Sequence, residues 1–243
     1  MRGAGFARVP GEYQNRVRNY RECGILAGNP VQSALGAGGG DVDVTRTPGR
    51  PRQTTHAEIR DVARRLFAEA GYDRVSLARI ASAAGISRTT LFSYYQAKAD
   101  LMAEEMEAHS AAALAYLAGE PAGTVLDVVA EAILVAARYP IADHVDFAQR
   151  RSICRASAEL TAHVTRHVAQ LTASLAEFAS ERVAPEERTL ARDLTHALTA
   201  VSSQAIDDWS QQPPEQPLDD YVSARLRPLL EACRHLLSEG PTP

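Results

Sequence analysis

The chain has 243 residues, 45% of them hydrophobic and 23% charged, and its 26 basic and 30 acidic side chains give a net charge of −4. That is enough apolar material for a core without disulfide or metal staples, and Cys23, Cys154 and Cys233 form no Cys-x-x-Cys or ligand-spaced pair. No apolar run approaches a membrane span and the N-terminus carries no apolar secretory block, so the expectation is a cytoplasmic protein with reduced thiols and no membrane partner.

Residues 1–53 hold clustered glycine and scattered proline, and Gly36–Asp41 sustains neither helix nor strand, so the stretch reads as a disordered extension. A later translation start, removing most of it, is the other reading. Its far end, Thr47-Pro48-Gly49-Arg50-Pro51-Arg52, resembles the core of AT-hook minor-groove motifs. Arg50 and Arg52, held extended by proline, can enter a narrow A·T-rich minor groove; a solvated basic linker explains the same residues equally well.

From Thr55 the pattern becomes helical. Ile59, Val62, Ala63, Leu66, Phe67 and Ala70 follow the i, i+3, i+4, i+7 spacing of an amphipathic helix, Thr55 and Glu58 supply a capping box, and Gly71 stops it. Two short helices then meet at a glycine. Ile80, Ala83 and Ala84 stripe the first; Leu91, Tyr94 and Tyr95 stripe the second. Between them, Gly85 can take positive φ, Ile86 is an apolar plug and Ser87 can cap the next helix. This is the pattern of a helix-turn-helix, whose second helix enters the DNA major groove, or of an ordinary αα-hairpin. The exposed positions Arg88, Thr89, Thr90 and Ser93 favour the former, being short or cationic donors suited to phosphates and base edges.

Those residues, with the helix ending Leu66-Phe67-Ala68-Glu69-Ala70-Gly71-Tyr72, then Val75-Ser76-Leu77, Ile80-Ala81, Ala84-Gly85-Ile86-Ser87, Leu91-Phe92-Ser93-Tyr94-Tyr95 and Lys98-x-x-Leu101, resemble the TetR family of bacterial transcriptional regulators over about residues 54–101. The resemblance implies DNA contacts from Ser76, Arg79, Ser87, Arg88, Thr89, Thr90, Ser93, Tyr94 and Lys98, with Ser76, Arg79 and Lys98 on phosphates. Phe92 departs from the family, which usually places there a tyrosine whose hydroxyl touches a phosphate.

Beyond residue 101 the pattern is helical throughout. Helices are expected from about Lys98 to Leu117, Thr124 to near Tyr139, 143 to 156, Ala158 to Arg182, Pro185 to about Gln211 and Leu218 to Leu237, about nine in all with those of the N-terminal part. The expected architecture is all-α: an extension over 1–53, a three-helix DNA-binding domain over 54–101, and a helical body over 102–243 that the resemblance makes a ligand-binding and dimerisation domain. The charges segregate with these parts. Residues 46–101 carry ten basic and five acidic side chains, whereas 102–243 carry eleven basic and twenty-one acidic, as in a protein that turns one end to a polyanion.

The apolar stripes of 185–211 and 218–237 suit either core or the dimer interface that the resemblance implies. More loosely, Phe147, Arg150, Arg151, Ile153, Glu159, Leu160, Ala162, His163 and Trp209 resemble the TetR subgroup with an acyl-CoA-like ligand domain. Met102, Met106, His109 and Ala113 share one face of the helix leaving the N-terminal domain. With Arg151 and His163 they are the candidate effector contacts, core packing being the competing use of each. Glu159, His163 and His167 share a helical face, but no fourth ligand accompanies them, so no metal is expected. Without a nucleophile elbow, phosphate loop or dinucleotide fingerprint, neither catalysis nor a cofactor is expected. The expectation is a homodimeric repressor released from a double-stranded DNA operator by an unknown small molecule. The alternatives are a regulator acting by DNA binding alone and a helical binding or catalytic protein that retains a TetR-like N-terminus.

Overall fold

The computed structural model describes residues 55–237, which hold nine α-helices and no strand. The first, α1 (His56–Ala70), begins with the expected capping box: the Glu58 amide donates to Thr55 Oγ1 at 3.2 Å and the Thr55 amide to Glu58 Oε2 at 2.8 Å. It ends at Gly71, whose φ of +82° is a conformation that L side chains rarely adopt. A single 3₁₀ turn, Tyr72–Arg74, leads into α2 (Leu77–Ala83) and α3 (Arg88–Tyr94).

The body follows as α4 (Asp100–Ala118), α5 (Val125–Ala136), α6 (His144–Arg155), α7 (Ala158–Glu181), α8 (Arg188–Gln211) and α9 (Leu218–Cys233). The boundaries differ from the sequence reading at three places, each for a local reason. The connecting helix starts at Asp100 because that carboxylate accepts from the Gln96 and Ala97 amides, at 3.1 and 2.8 Å, and holds residues 96–99 in a turn. Pro185 opens a 3₁₀ turn, Pro185–Glu187, instead of the long helix itself. The last helix stops at Cys233, and Pro228 is accommodated inside it on the exposed side.

Two hydrophobic cores result. The smaller gathers Ile59, Ala63 and Phe67 of α1, Tyr72, Val75, Ile80, Leu91 and Tyr95, and it draws Leu101 and Met102 from α4, Ile153 from α6 and Leu160 from α7. It therefore reaches across the boundary the sequence suggests at residue 101. The larger core is built from α4, α5, α7, α8 and α9 with Phe147 of α6, and includes Val129, Leu175, Leu198, Trp209 and Leu226. Helix α4 packs on α1 at one end and on α5 and α7 along its length, so it is buried nearly all round. Cys154 is half-buried, Cys233 is buried, and both are free thiols.

Candidate nucleic-acid interface

Helices α2 and α3 are each too short to hold together alone, and their ends are fixed by side chains. Ser76 Oγ accepts from the Arg79 amide at 3.2 Å and so caps α2. The turn is closed by the Ala84 amide on the Ile80 carbonyl at 2.9 Å and the Ile86 amide on the Ala81 carbonyl at 3.0 Å, with Gly85 at φ +69° between them. Ser87 Oγ then accepts from the Thr90 amide at 2.9 Å and shares a 2.7 Å hydrogen bond with Thr90 Oγ1, capping α3. Leu91 is wholly buried and Tyr95 nearly so, which anchors the inner side of α3 in the smaller core.

What remains outside is the candidate reading face. Arg88, Thr89, Thr90, Phe92 and Ser93 are exposed, and Arg79 lies exposed on α2. Thr90 and Ser93 are engaged within the helix, Ser93 Oγ donating to the Thr90 carbonyl at 2.7 Å. Arg88 and Thr89 make no such commitment among the described contacts. Tyr94 is half-buried, its ring 4.8 Å from that of His56. Lys98 serves the fold as well: Nζ donates to the Tyr72 carbonyl at 3.0 Å and sits 3.9 Å from the centre of the Tyr72 ring, tying the 3₁₀ turn before α2 to the chain after α3. Arg50 and Arg52 lie outside the described residues.

Behind this face is a buried polar junction that sequence reasoning missed. Tyr95 Oη donates to Glu104 Oε2 at 2.6 Å and lies 3.2 Å from His56 Nδ1, while Arg60 Nη1 approaches Glu104 Oε1 at 3.2 Å. One buried carboxylate at the start of α4 thus meets both the start of α1 and the residue that follows α3. On the body side Arg150 pairs with Glu105, and Arg64 reaches Asp146 at 3.7 Å, so α6 is tied to α4 and α1. Burial, together with Arg64 and Arg60 nearby, lowers the Arg150 guanidinium to about 10. Tyr72 Oη donates to Glu159 at 2.8 Å; burial, then that bond, pushes its pKa well above the usual tyrosine range. The one signal for this junction in the sequence is the Glu104-Glu105 acid pair near the start of an alanine-rich helix.

The six candidate effector contacts do not form one cluster. Met102 belongs to the smaller core and Ala113 to the larger, where it is fully buried. Met106 and His163 are half-buried. His109 stacks on Tyr139, ring centres 4.1 Å apart, and burial lowers its pKa to about 4. Arg151 pairs with Asp207 of α8. Of the helical-face trio, Glu159 accepts from Tyr72, and His167 Nε2 shares a 2.8 Å hydrogen bond with buried Ser110 Oγ. A groove of about 100 Å³ opens between α5 and α9, lined by Ala130, Leu134, Leu226 and Leu230 with Arg227 and Arg234 at its rim. None of the six residues lines it. At that size it lies below the roughly 300 Å³ of ordinary small-molecule pockets.

Known proteins share this organisation. The family model for bacterial regulatory proteins of the tetR family matches residues 59–104, and the MftR C-terminal domain model matches 123–234. The chain is 56% identical over 50 residues to MftR of Mycobacterium tuberculosis, a protein assigned as a transcriptional regulator of mycofactocin biosynthesis; the match covers 21% of this chain and 25% of that one. It is 38% identical over 64 residues to the HTH-type transcriptional regulator AcrR of Shigella flexneri, covering 26% of this chain and 30% of that relative. The matched stretch thus spans less than a third of either relative. A transcriptional regulator from Aquifex aeolicus shares the fold, with a TM-score of 0.50 and 15% identity over 73% of this chain and 98% of its own. The chain thus carries a tetR-family helix-turn-helix domain over residues 59–104 and an MftR C-terminal domain over residues 123–234.

Proposed function

We propose that the protein is a homodimeric repressor that binds a double-stranded DNA operator through α3 and releases it when a small molecule occupies the body. The observation that carries this reading is the build of α3. Its inner side is fixed by buried Leu91 and Tyr95, its start is capped by Ser87, and its outer side offers Arg88 and Thr89 to a partner. A helix held this way presents base-reading side chains at fixed spacing, the requirement for sequence discrimination in the major groove. One such helix reads only a half-site, so specificity calls for a two-fold dimer, with α8 and α9 as the interface.

Release follows from the junction. Helix α4 carries Glu104 and Glu105, which bind the head and the body respectively. A tilt of α4 therefore moves α3 together with α1, and a ligand that binds a tilted body more tightly shifts the population away from the DNA-binding spacing. Met102, Met106, His109, Ala113, Arg151 and His163 lie on or beside this route and remain the proposed effector contacts. Arg79, Ser76 and Lys98 are the proposed phosphate contacts, and Arg50 and Arg52 the proposed minor-groove arm.

Selection of duplexes from a random pool by the full-length protein tests the reading. The expected product is a two-fold symmetric sequence with half-sites about one helical turn, 34–36 Å, or a multiple of it apart, bound by an even number of chains in sedimentation. An unenriched pool, or a single asymmetric site bound by one chain, would overturn it and favour the helical binding protein with a TetR-like N-terminus.

A further inference from the structure

Phe92 is an anomaly on the outer side of α3. It is 42% exposed, one of few large hydrophobic side chains so placed among the described residues, and it stands where the rest of the face is polar or cationic. Leaving an aromatic ring in water forgoes the stabilisation its burial would bring. Its neighbour one helical turn earlier, Arg88, holds its guanidinium carbon 5.6 Å from the centre of the ring. The two groups therefore present one composite tip, a planar cation beside an apolar disc.

Resting on the DNA-binding reading above, we infer that Phe92 is a base-reading residue that takes the C5-methyl group of a thymine next to the guanine bound by Arg88. Three features select this occupant. Arginine bidentate to guanine O6 and N7 is the commonest specific major-groove contact, and the one apolar feature on that groove floor is the thymine methyl. Residues four apart on a helix are separated by about 6 Å along its axis, close to two base steps of 3.4 Å, and the Arg88–Phe92 contact draws their tips nearer still. The ring also lacks the hydroxyl with which a tyrosine at this position would reach a phosphate, so an apolar partner is the one it can use. The ring in turn orients Arg88 before DNA arrives, which reduces the ordering the side chain undergoes on binding.

The test uses a site selected by the full-length protein from unmethylated synthetic duplexes, in which thymine is the only source of that methyl. Each thymine is replaced in turn by deoxyuridine, which lacks only the methyl, and affinity is measured for the wild type and for Phe92→Ala. Alanine at an exposed helical position keeps the helix, and circular dichroism verifies it. One thymine per half-site, adjacent to or one base from a guanine whose loss Arg88→Ala no longer notices, should weaken wild-type binding roughly fourfold when made uracil, the value of one methyl-sized apolar group. Phe92→Ala should bind the thymine and uracil duplexes equally. A wild type indifferent to uracil at every position, or a Phe92→Ala variant that keeps the same uracil sensitivity, overturns the inference while leaving DNA recognition by α3 standing. A pool in which no sequence is enriched removes both.

Discussion

At the residue scale, Ser76 and Ser87 each carry a capping role in the fold beside the DNA contact proposed for them. Both are exposed enough to meet DNA, and both use their hydroxyl oxygen to cap a seven-residue helix. Capping predicts that Ser87→Ala or Ser76→Ala lowers unfolding stability by about 1 kcal/mol, whereas glycine at either site costs only a few tenths. Thermal unfolding without DNA measures this, and an unchanged midpoint for both alanine variants would leave the hydroxyls with DNA contact alone. Lys98 is a similar case. Its bond to the Tyr72 carbonyl and its place over the Tyr72 ring predict that Lys98→Ala loses about 1 kcal/mol of stability as well as weakening binding to specific and scrambled duplexes alike. Full stability with a loss confined to the specific site would contradict both roles.

At the scale of the element, α4 separates what periodicity can and cannot reveal. Helix α1 was legible almost residue by residue: its cap, its stripe and its glycine stop stand where the spacing put them, because one side faces a single core and the other faces water. Helix α4 has partners on several sides, so a single apolar face is not a property it possesses. Leu101, Met102, Ala103, Glu104, Ala108, Ser110, Ala111, Ala113 and Leu117 are all buried, in every direction around the axis. The grouping of Met102, Met106, His109 and Ala113 on one side was correct as helix geometry, yet two of the four belong to different cores. Contacts such as Tyr72 with Glu159 or Ser157 with Asp73 join residues more than eighty apart, and a local pattern holds no record of them.

His109 gives α4 a measurable signature. The unfolded chain takes up a proton on this histidine near pH 6.5, but in the fold burial delays that to about pH 4. The unfolded state therefore holds more protons between these values, and stability falls as the pH drops through the window, by on the order of 3 kcal/mol for this one group. His109→Phe, which keeps a ring against Tyr139, should flatten the decline in urea midpoint between pH 6.5 and 4.5 relative to the wild type. Parallel declines in the two proteins would mean that His109 is not buried as a neutral ring.

The whole molecule sets a basic head against an acidic body, with five net positive charges over residues 46–101 and ten net negative over 102–243. On the proposed reading a DNA backbone repels such a body and attracts the head, and screening of that attraction makes affinity fall with salt. The two cores meet at Met102, Ile153 and Leu160, so head and body are packed together and not merely tethered. That arrangement was out of reach of the sequence, which suggested a boundary at residue 101 because the helix-turn-helix pattern ends there. The proposed motion of the head relative to the body has to rearrange this shared core together with the polar junction of Glu104, Glu105, Arg60, Arg64 and Arg150. The most direct measurement is the affinity ratio between the selected duplex and a scrambled duplex at one fixed salt concentration, for the wild type and for Arg88→Ala. Recognition through α3 predicts a wild-type ratio of about 10³ or more, and a loss of about 1–3 kcal/mol on the selected duplex for the variant with little change on the scrambled one. A ratio near one in the wild type, or an Arg88→Ala variant with undiminished affinity and selectivity, would contradict it.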